Sequence, residues 1–453
     1  MRIFEEAGGK AGKEVKGADA GSRPRIRVRV EPRWSEDYEL VRASEGIGVK
    51  ITGGLDDGDH GRVLRVDVTV PSGSSAGAEE IALAVPQRCD LHLLAKSEYF
   101  HEVFVGGGQG RIEGDLRVVI PHGDIAVQKV RGENVELRTG AGRVDVKSVL
   151  EGLNTDISSS AGFTAKRVMG DNVTVRVGGL DGLRIAAAYG NQFFLQSRDG
   201  PVTVDTAQVS MLDVRAGGAP GVDVGGMSGV LLAHAAPSDK SHAEGDNVVG
   251  VSVSFDQVGH NPSAAGITKA DAVEAGASLR DPQRQPPERS VLRCDGGGSI
   301  AVSLSDEQPL NLDLNLRSAL ADGVKLPVGV ERGEYTPGRQ AAAGFQANAL
   351  VSGTESPSSS ALSPTAEGVL SPAKTIFEGT VEGDRAEGWL RSGPRAKGRG
   401  GRGGSGKIRM DQGDELLDPN DSSLRPHLSA ISDGKISVSV AGWMDRIRSK
   451  YLD

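Results

Sequence analysis

Carboxylates are the first side chains here that could do chemistry, because two of them converging on one bond suffice for acid/base hydrolysis of a glycoside. They recur in short valine-rich runs, Gly142-Arg143-Val144-Asp145-Val146 and Gly221-Val222-Asp223-Val224. Aligned on their leading glycines, equivalent positions read Ala126, Asp145, Thr164, Arg184, Thr203 and Asp223. The two aspartates share a column but stand four repeats apart, around 20 Å at the spacing of adjacent β-strands. Inverting hydrolysis needs its pair within about 10 Å. Asp124, Asp199, Asp205 and Asp213 form no adjacent column either. The spacing therefore predicts solvated face and turn residues rather than an acid/base pair.

The remaining reactive types are no better arranged. The eight histidines, at 60, 92, 101, 122, 234, 242, 260 and 427, show no metal-ligand spacing. Cys89 and Cys294 form no CxxC pair, which excludes a disulfide framework and speaks against a cysteine zinc site. Both read as small hydrophobes in strands. Gly401 to Gly406 precede Lys407 like a phosphate loop, but Ile408 stands where Ser or Thr would be needed for magnesium. No catalytic residue, metal or cofactor is predicted. The sharpest local signal is basic. Residues 391–410 hold Arg391, Arg395, Lys397, Arg399, Arg402, Lys407 and Arg409 and no acid. Arg399-Gly400-Gly401 and Arg402-Gly403-Gly404 are RGG repeats, which makes Arg399 and Arg402 candidate contacts for single-stranded RNA. Ser356-Pro357, Ser363-Pro364 and Ser371-Pro372 could accept proline-directed phosphate. The glycosylation triplet Asn172-Val173-Thr174 is discounted because it lies in an expected strand.

The frame for these residues comes from composition. The chain has 453 residues, 64 of them glycine, with aromatics at 4%. Many glycines and few aromatics suit many tight turns around a core of small aliphatics. A net charge of −9 argues against a general nucleic-acid binder. No apolar run approaches the ~20 residues that span a bilayer. The start, Met1-Arg2-Ile3-Phe4-Glu5-Glu6, lacks the apolar core of a signal peptide. The expectation is an intracellular, cytoplasmic protein; Arg23, Arg25, Arg27 and Arg29 leave a mitochondrial transit segment as the alternative.

From about residue 115 the chain repeats. Gly123 leads Ile125, Val127 and Val130; Gly142 leads Val144, Val146 and Val149; Gly162 leads Phe163, Ala165 and Val168. Gly182, Gly200 and Gly221 continue the series. A second short strand precedes each anchor, expected at Val135 and Leu137, Thr155 and Ile157, Val175 and Val177, and Phe193 and Leu195. Alternation sends one set of side chains inward. A constant period near ~20 residues stacks each strand on its equivalent in the next unit. Val127, Val146, Ile185 and Val204 are the expected core column. A leucine-rich repeat lacks its Leu and Asn ladder here, and no six-residue period is found. An antiparallel sandwich or barrel is the strongest rival but does not demand so constant a register. The predicted fold is an all-β, single-stranded parallel β-solenoid. The register returns at Gly298-Ser299-Ile300 and Gly434-Lys435-Ile436.

The expected organisation is therefore as follows. Residues 1–22 are disordered, and 23–114 form a β-rich entry and cap. The solenoid repeats occupy 115–330, with a loop insertion at 261–289. A low-complexity disordered insertion holding the RGG tract fills 331–407. Residues 408–453 close the stack, with Trp443 over the last coil.

The runs Gly123-Asp124-Ile125-Ala126-Val127, Gly142-Arg143-Val144-Asp145-Val146 and Gly200-Pro201-Val202-Thr203-Val204 resemble the adhesin domain family, a group of Gly- and Val-rich β-solenoids of mostly unassigned function. Pro86-Gln87-Arg88-Cys89-Asp90-Leu91 looks like the family's lead-in strand. Gly434-Lys435-Ile436-Ser437-Val438, followed by Trp443, looks like the uncharacterised intracellular eukaryotic members. The resemblance covers roughly 81–330 and 428–453. The family's name implies surface attachment in bacteria, and the expected lack of a secretion signal departs from that.

The function expected from all this is a non-catalytic scaffold or interaction protein, binding an unidentified protein partner on a lateral face or an insertion. The alternatives are an RNA-associated protein working through 391–410, or a degenerate polysaccharide-acting β-helix.

Overall fold

The computed structural model describes residues 25–31, 39–42, 48–55, 62–69, 80–95, 101–107, 110–237, 249–259, 289–305, 311–326, 331–333, 375–382, 384–392 and 426–441. Among these residues the protein is all-β, without a helix. Nine strands come first: β1 (Arg25–Glu31), β2 (Glu39–Arg42), β3 (Gly48–Leu55), β4 (Arg62–Thr69), β5 (Glu80–Pro86), β6 (Asp90–Ala95), β7 (Glu102–Val105), β8 (Ile112–Glu113) and β9 (Leu116–His122). The regular part follows as β10 (Asp124–Ala141), β11 (Arg143–Ser159), β12 (Gly162–Val177), β13 (Gly182–Ser197), β14 (Val202–Val204), β15 (Ala207–Ala216) and β16 (Gly221–Ala235). The last ten are β17 (Gly250–Val258), β18 (Arg289–Cys294), β19 (Ile300–Ser305), β20 (Asn311–Ser318), β21 (Val324–Lys325), β22 (Glu331–Gly333), β23 (Thr375–Glu382), β24 (Arg385–Ser392), β25 (His427–Ser432) and β26 (Ile436–Ala441).

In the regular part every neighbour is parallel and in register. Ile125 pairs with Val144, Val144 with Phe163, Phe163 with Leu183, Leu183 with Val202 and Val202 with Val222, steps of 19, 19, 20, 19 and 20 residues. The pattern follows from the alternation. Each strand sends every second side chain inward, and β-branched residues pack well on a pleated buried surface. One inward ladder runs Val105, Val127, Val146, Ala165, Ile185, Val204, Val224, Val253, Val302 and Val438. Val127, Val146, Ile185 and Val204 all lie in it, at 0%, 1%, 0% and 0% exposure. The strand is interrupted between β14 and β15, and both halves lie between the long strands β13 and β16, closing a circuit of four paired strands.

One strand position differs from the sequence expectation. Thr155 pairs with Val173 and Ile157 with Val175, so the inward run of β12 starts at Val173, and Val175 and Val177, the expected pair, continue it as buried residues. An irregularity between Val146 and Val149 absorbs one residue at that corner, and the following strand returns one residue earlier.

The corners are built from glycines and buried hydroxyls. Gly190 has φ +139° and its place beside Gly170 leaves no room for a Cβ, which would overlap the Gly170 carbonyl oxygen. At the final inward position of a layer, a buried polar side chain ties down a corner carbonyl. Thr139 Oγ1 donates to Gly123 O at 2.7 Å, Ser159 Oγ to Gly142 O at 2.6 Å, Ser432 Oγ to Gly298 O at 2.6 Å and Ser318 Oγ to Gly434 O at 2.7 Å. Each bond gives a corner carbonyl a hydroxyl donor, and Gly142 O also accepts the Ala161 N–H at 3.1 Å.

At both ends the spatial order departs from chain order. β1 lies between β5 and β7, while β6 pairs directly with β9. β2 lies antiparallel on β5, and β3 antiparallel on β4. At the other end, β25 lies between β18 and β20, and β26 between β19 and β21. β24 then covers β20 antiparallel and β23 covers β24. The stretch 331–407, expected to lack structure, thus carries three strands, β22 to β24. Their local pattern is short and embedded in Ser- and Pro-rich sequence; β24 pairs with β20, β23 with β24 and β22 with β23. Residues 1–22, the 261–289 loop apart from Arg289, and Trp443 lie outside the described residues.

Candidate functional site

The outward columns are where a filled stack can meet a partner. One face carries two of them side by side. The first reads Arg117, Glu136, Asp156, Thr174, Phe194, Asp213 and Leu232. The second reads Arg138, Ser158, Arg176, Gln196, Arg215, His234, Arg293, Ile431 and Arg317. An arginine stands at every second layer of this column, so the guanidiniums recur at about 10 Å. Alternation with Ser158, Gln196, His234 and Ile431 keeps like charges from facing each other on adjacent strands, where they would repel.

The acids of the first column are engaged by these arginines. Arg117 pairs with Glu136 at 3.1 Å, and Arg138 bridges Glu136 at 2.9 Å and Asp156 at 2.7 Å. Arg176 reaches the other oxygen of Asp156 at 3.5 Å, and Arg215 holds Asp213 at 3.1 Å. The hydrogen bond from Arg138 to Asp156 pushes the Arg138 pKa up. Phe194 sits half-buried at the centre, with Arg176 5.7 Å and Arg215 5.2 Å from its ring centroid. A cation over an aromatic face is attracted by the ring quadrupole. Further along, Asp295 accepts from Arg293 Nε at 2.9 Å and faces His234 Nε2 at 2.9 Å. Burial works to raise the Asp295 pKa, but the bonds to His234 and Arg293 outweigh it and hold the carboxyl below its ordinary range. Each exposed pair contributes little to stability; their collective effect is to fix long side chains in a regular array.

The carboxylates singled out for acid/base work do not converge. Asp145 is paired with Lys147 and accepts Thr164 Oγ1 at 2.9 Å. Asp223 lies four layers away, by way of Thr164, Arg184 and Thr203. That is about 19 Å, twice the reach of a hydrolytic pair. Asp124 accepts the Arg143 backbone N–H at 2.8 Å, Asp205 pairs with Arg184 at 3.5 Å, and Asp199 pairs with Arg198 at 3.2 Å. On another corner Glu113 is held below the usual carboxylate range, first by the hydrogen bond from Arg111 at 2.7 Å.

An asparagine ladder was missed from the sequence. Asn154 Nδ2 donates to Asn134 Oδ1 at 3.2 Å, and Asn172 Nδ2 to Asn154 Oδ1 at 3.2 Å. Asn134 is itself anchored to Asp115 at 2.7 Å. Its signal was present, because each asparagine follows a corner glycine, Gly132, Gly152 or Gly170, by two residues. Asn172 of the glycosylation triplet belongs to this ladder. The arginine column was missed as well, and finding it requires the register rather than the residue types.

Among the described residues no group of three or more His, Cys, Asp or Glu is arranged to hold a metal ion. Burial pushes the Cys89 thiol up to about 12 and the Cys294 thiol up to about 11. Cys294 Sγ donates to Val249 O at 3.2 Å. Arg399 and Arg402, Lys407 and the three Ser-Pro pairs lie outside the described residues. No helix among the described residues is long and apolar enough to cross a membrane. The chain matches no protein-family model, no curated protein and no solved structure.

Proposed function

We propose that this chain is a non-catalytic scaffold, a single-stranded parallel β-solenoid with coils of about 20 residues, and that it presents the Arg138–Arg317 face to a protein partner. The observation that carries the reading is the column of arginines at alternate layers, with Phe194 bracketed by Arg176 and Arg215. Arginine and an aromatic ring on a rigid surface are the residue types that most often dominate protein–protein binding energy. Ion pairing with Asp156 and Asp213 orders the guanidiniums in advance, which lowers the entropy lost on association. The engagement of these carboxylates in structural pairs supports a scaffold over a hydrolase. The resemblance to adhesin domains, whose name implies attachment, supports the same reading.

The test is proximity labelling in the native cell, comparing the native chain with one carrying Arg176→Glu, Phe194→Ser and Arg215→Glu. All three side chains point outward, so the thermal midpoint should hold. The reading expects specific neighbours to disappear from the variant's labelling. An identical set of neighbours, with a folded variant, would overturn the assignment to this face.

A further inference from the structure

We infer that the C-terminal coil, β25–β26, is an exchangeable insert, and that one copy of this chain can supply it to another. The inference rests on pairing order alone and is independent of the partner face.

The chain forms the layer of β18 and β19, then the layer of β20 and β21, and only afterwards reaches β25 and β26. Yet β25 pairs with β18 on one side and β20 on the other, and β26 with β19 and β21. The last coil in the sequence fills a slot between two layers that precede it. The slot is welded on both sides. Asp433 N donates to Cys294 O at 3.2 Å and Ala319 N to Ser432 O at 2.9 Å. Ile300 N donates to Lys435 O at 2.8 Å, and Ile436 N to Gly323 O at 2.7 Å. Gly296 N donates to Asp433 Oδ2 at 2.9 Å.

Three features make the slot open to exchange. First, its two walls share one inward alternation, with a leucine opposite Ala430 on both. Ser290, Leu292 and Cys294 meet Leu428, Ala430 and Ser432 from one side, and Leu314, Leu316 and Ser318 meet the same residues from the other. With the insert withdrawn, β18 and β20 can pair in register with each other, so the vacated state need not leave open edges. Second, recognition is carried by backbone ladders and by a column of Leu428, Ala430, Ile436 and Val438 at 1%, 0%, 0% and 3% exposure, all of which a second copy supplies identically. Third, 33 residues separate Ser392 from Pro426. Such a connection reaches at most on the order of 110 Å, ample for a neighbouring molecule. Exchange of an identical element costs little, because every interaction broken within one copy re-forms between the two.

The full-length chain provides the experiment. Arg293 in β18 and Ile431 in β25 are directly paired outward positions. Parallel partners on adjacent strands fall in the Cα range that a disulfide spans. A chain carrying Arg293→Cys is mixed with a chain carrying Ile431→Cys, concentrated, and oxidised. A mixed covalent dimer should form at several-fold the yield of a collision control pairing Arg293→Cys with Arg176→Cys. A single chain carrying both Arg293→Cys and Ile431→Cys, oxidised at high dilution where exchange between copies is disfavoured, should close the bond within itself. Dimer yield no higher than the collision control overturns exchange. Failure of the double variant to close its own bond overturns the layer order on which the proposal stands.

Discussion

Replacing Val146 with aspartate tests the inward register directly. Val146 is 1% exposed and lies between Val127 and Ala165 in the inward ladder. No hydrogen-bonding side chain belongs to that ladder, so the new carboxyl is driven to its neutral form, with a folded pKa raised by roughly 3–5 units. The unfolded pKa is about 3.9. A group whose folded pKa is raised costs nothing below the unfolded value and then costs about 1.4 kcal/mol per pH unit until the folded pKa is reached. The linkage penalty is therefore about 1.5 kcal/mol at pH 5 and about 4 kcal/mol at pH 7. Burying the neutral acid adds about 1–3 kcal/mol at either pH, and Val146→Asn isolates that part. Asp145, one residue earlier, points outward and is a third exposed. Asp145→Val removes a surface pair and should shift stability by under about 1 kcal/mol. Urea unfolding followed by far-UV circular dichroism at pH 5 and pH 7 measures all three variants. An unchanged Val146→Asp midpoint, or a Val146→Asp penalty that does not grow with pH relative to Val146→Asn, would refute the inward register.

Three further outcomes are expected. Cys89 and Cys294, with thiols pushed to about 12 and about 11 by burial, should not react with a thiol reagent at neutral pH in the folded chain. Both should react on denaturation, and prompt native-state labelling would show that the β5–β6 turn holding Cys89 or the end of β18 holding Cys294 opens. Gly190→Ala should cost about 3 kcal/mol or more in denaturant unfolding, because its positive φ is strained for alanine and the new Cβ overlaps the adjacent layer; a cost under about 1 kcal/mol would contradict that packing. Removing Thr375–Ser392 uncovers the edge of β20 and should drive self-association, read by light scattering after size-exclusion chromatography; a monomer of native stability would show that these strands do not cap the stack.

The inward columns were legible because they are local. Gly142-Arg143-Val144-Asp145-Val146 states within five residues which side chains alternate and where the corner lies, and the same arithmetic found Gly298 and Gly434, whose following isoleucines, Ile300 and Ile436, are direct partners. Where a corner absorbs one extra residue, as between Val146 and Val149, the strand that follows moves, and the inward run of Val175 and Val177 already begins at Val173. The ends were not legible, because placing β25 between β18 and β20 depends on pairings that cross more than a hundred residues and leave no mark on local alternation. β23 and β24 were hidden for a similar reason, since β24 pairs with the distant β20 and β23 with β24. The arginine column needed the register as well. Arg138, Arg176, Arg215 and Arg293 fall on one line only once steps of unequal length are known. The asparagine ladder did leave a local signature, beside the corner glycines.

The stacking itself is tested most directly by spin-label distances along one outward column. Asp145, Asp223, Ser252, Ala301 and Ser437 are register equivalents in one outward column, Asp223 four layers from Asp145 and the other three on the next three layers. Pulsed electron paramagnetic resonance from a label at 145 should give about 19, 24, 29 and 34 Å to labels at 223, 252, 301 and 437, before allowance for the label arms. The increments should be equal although the sequence separations are not. A distance to 437 shorter than that to 301, or increments that track sequence separation, would contradict the layered stack on which every other conclusion depends.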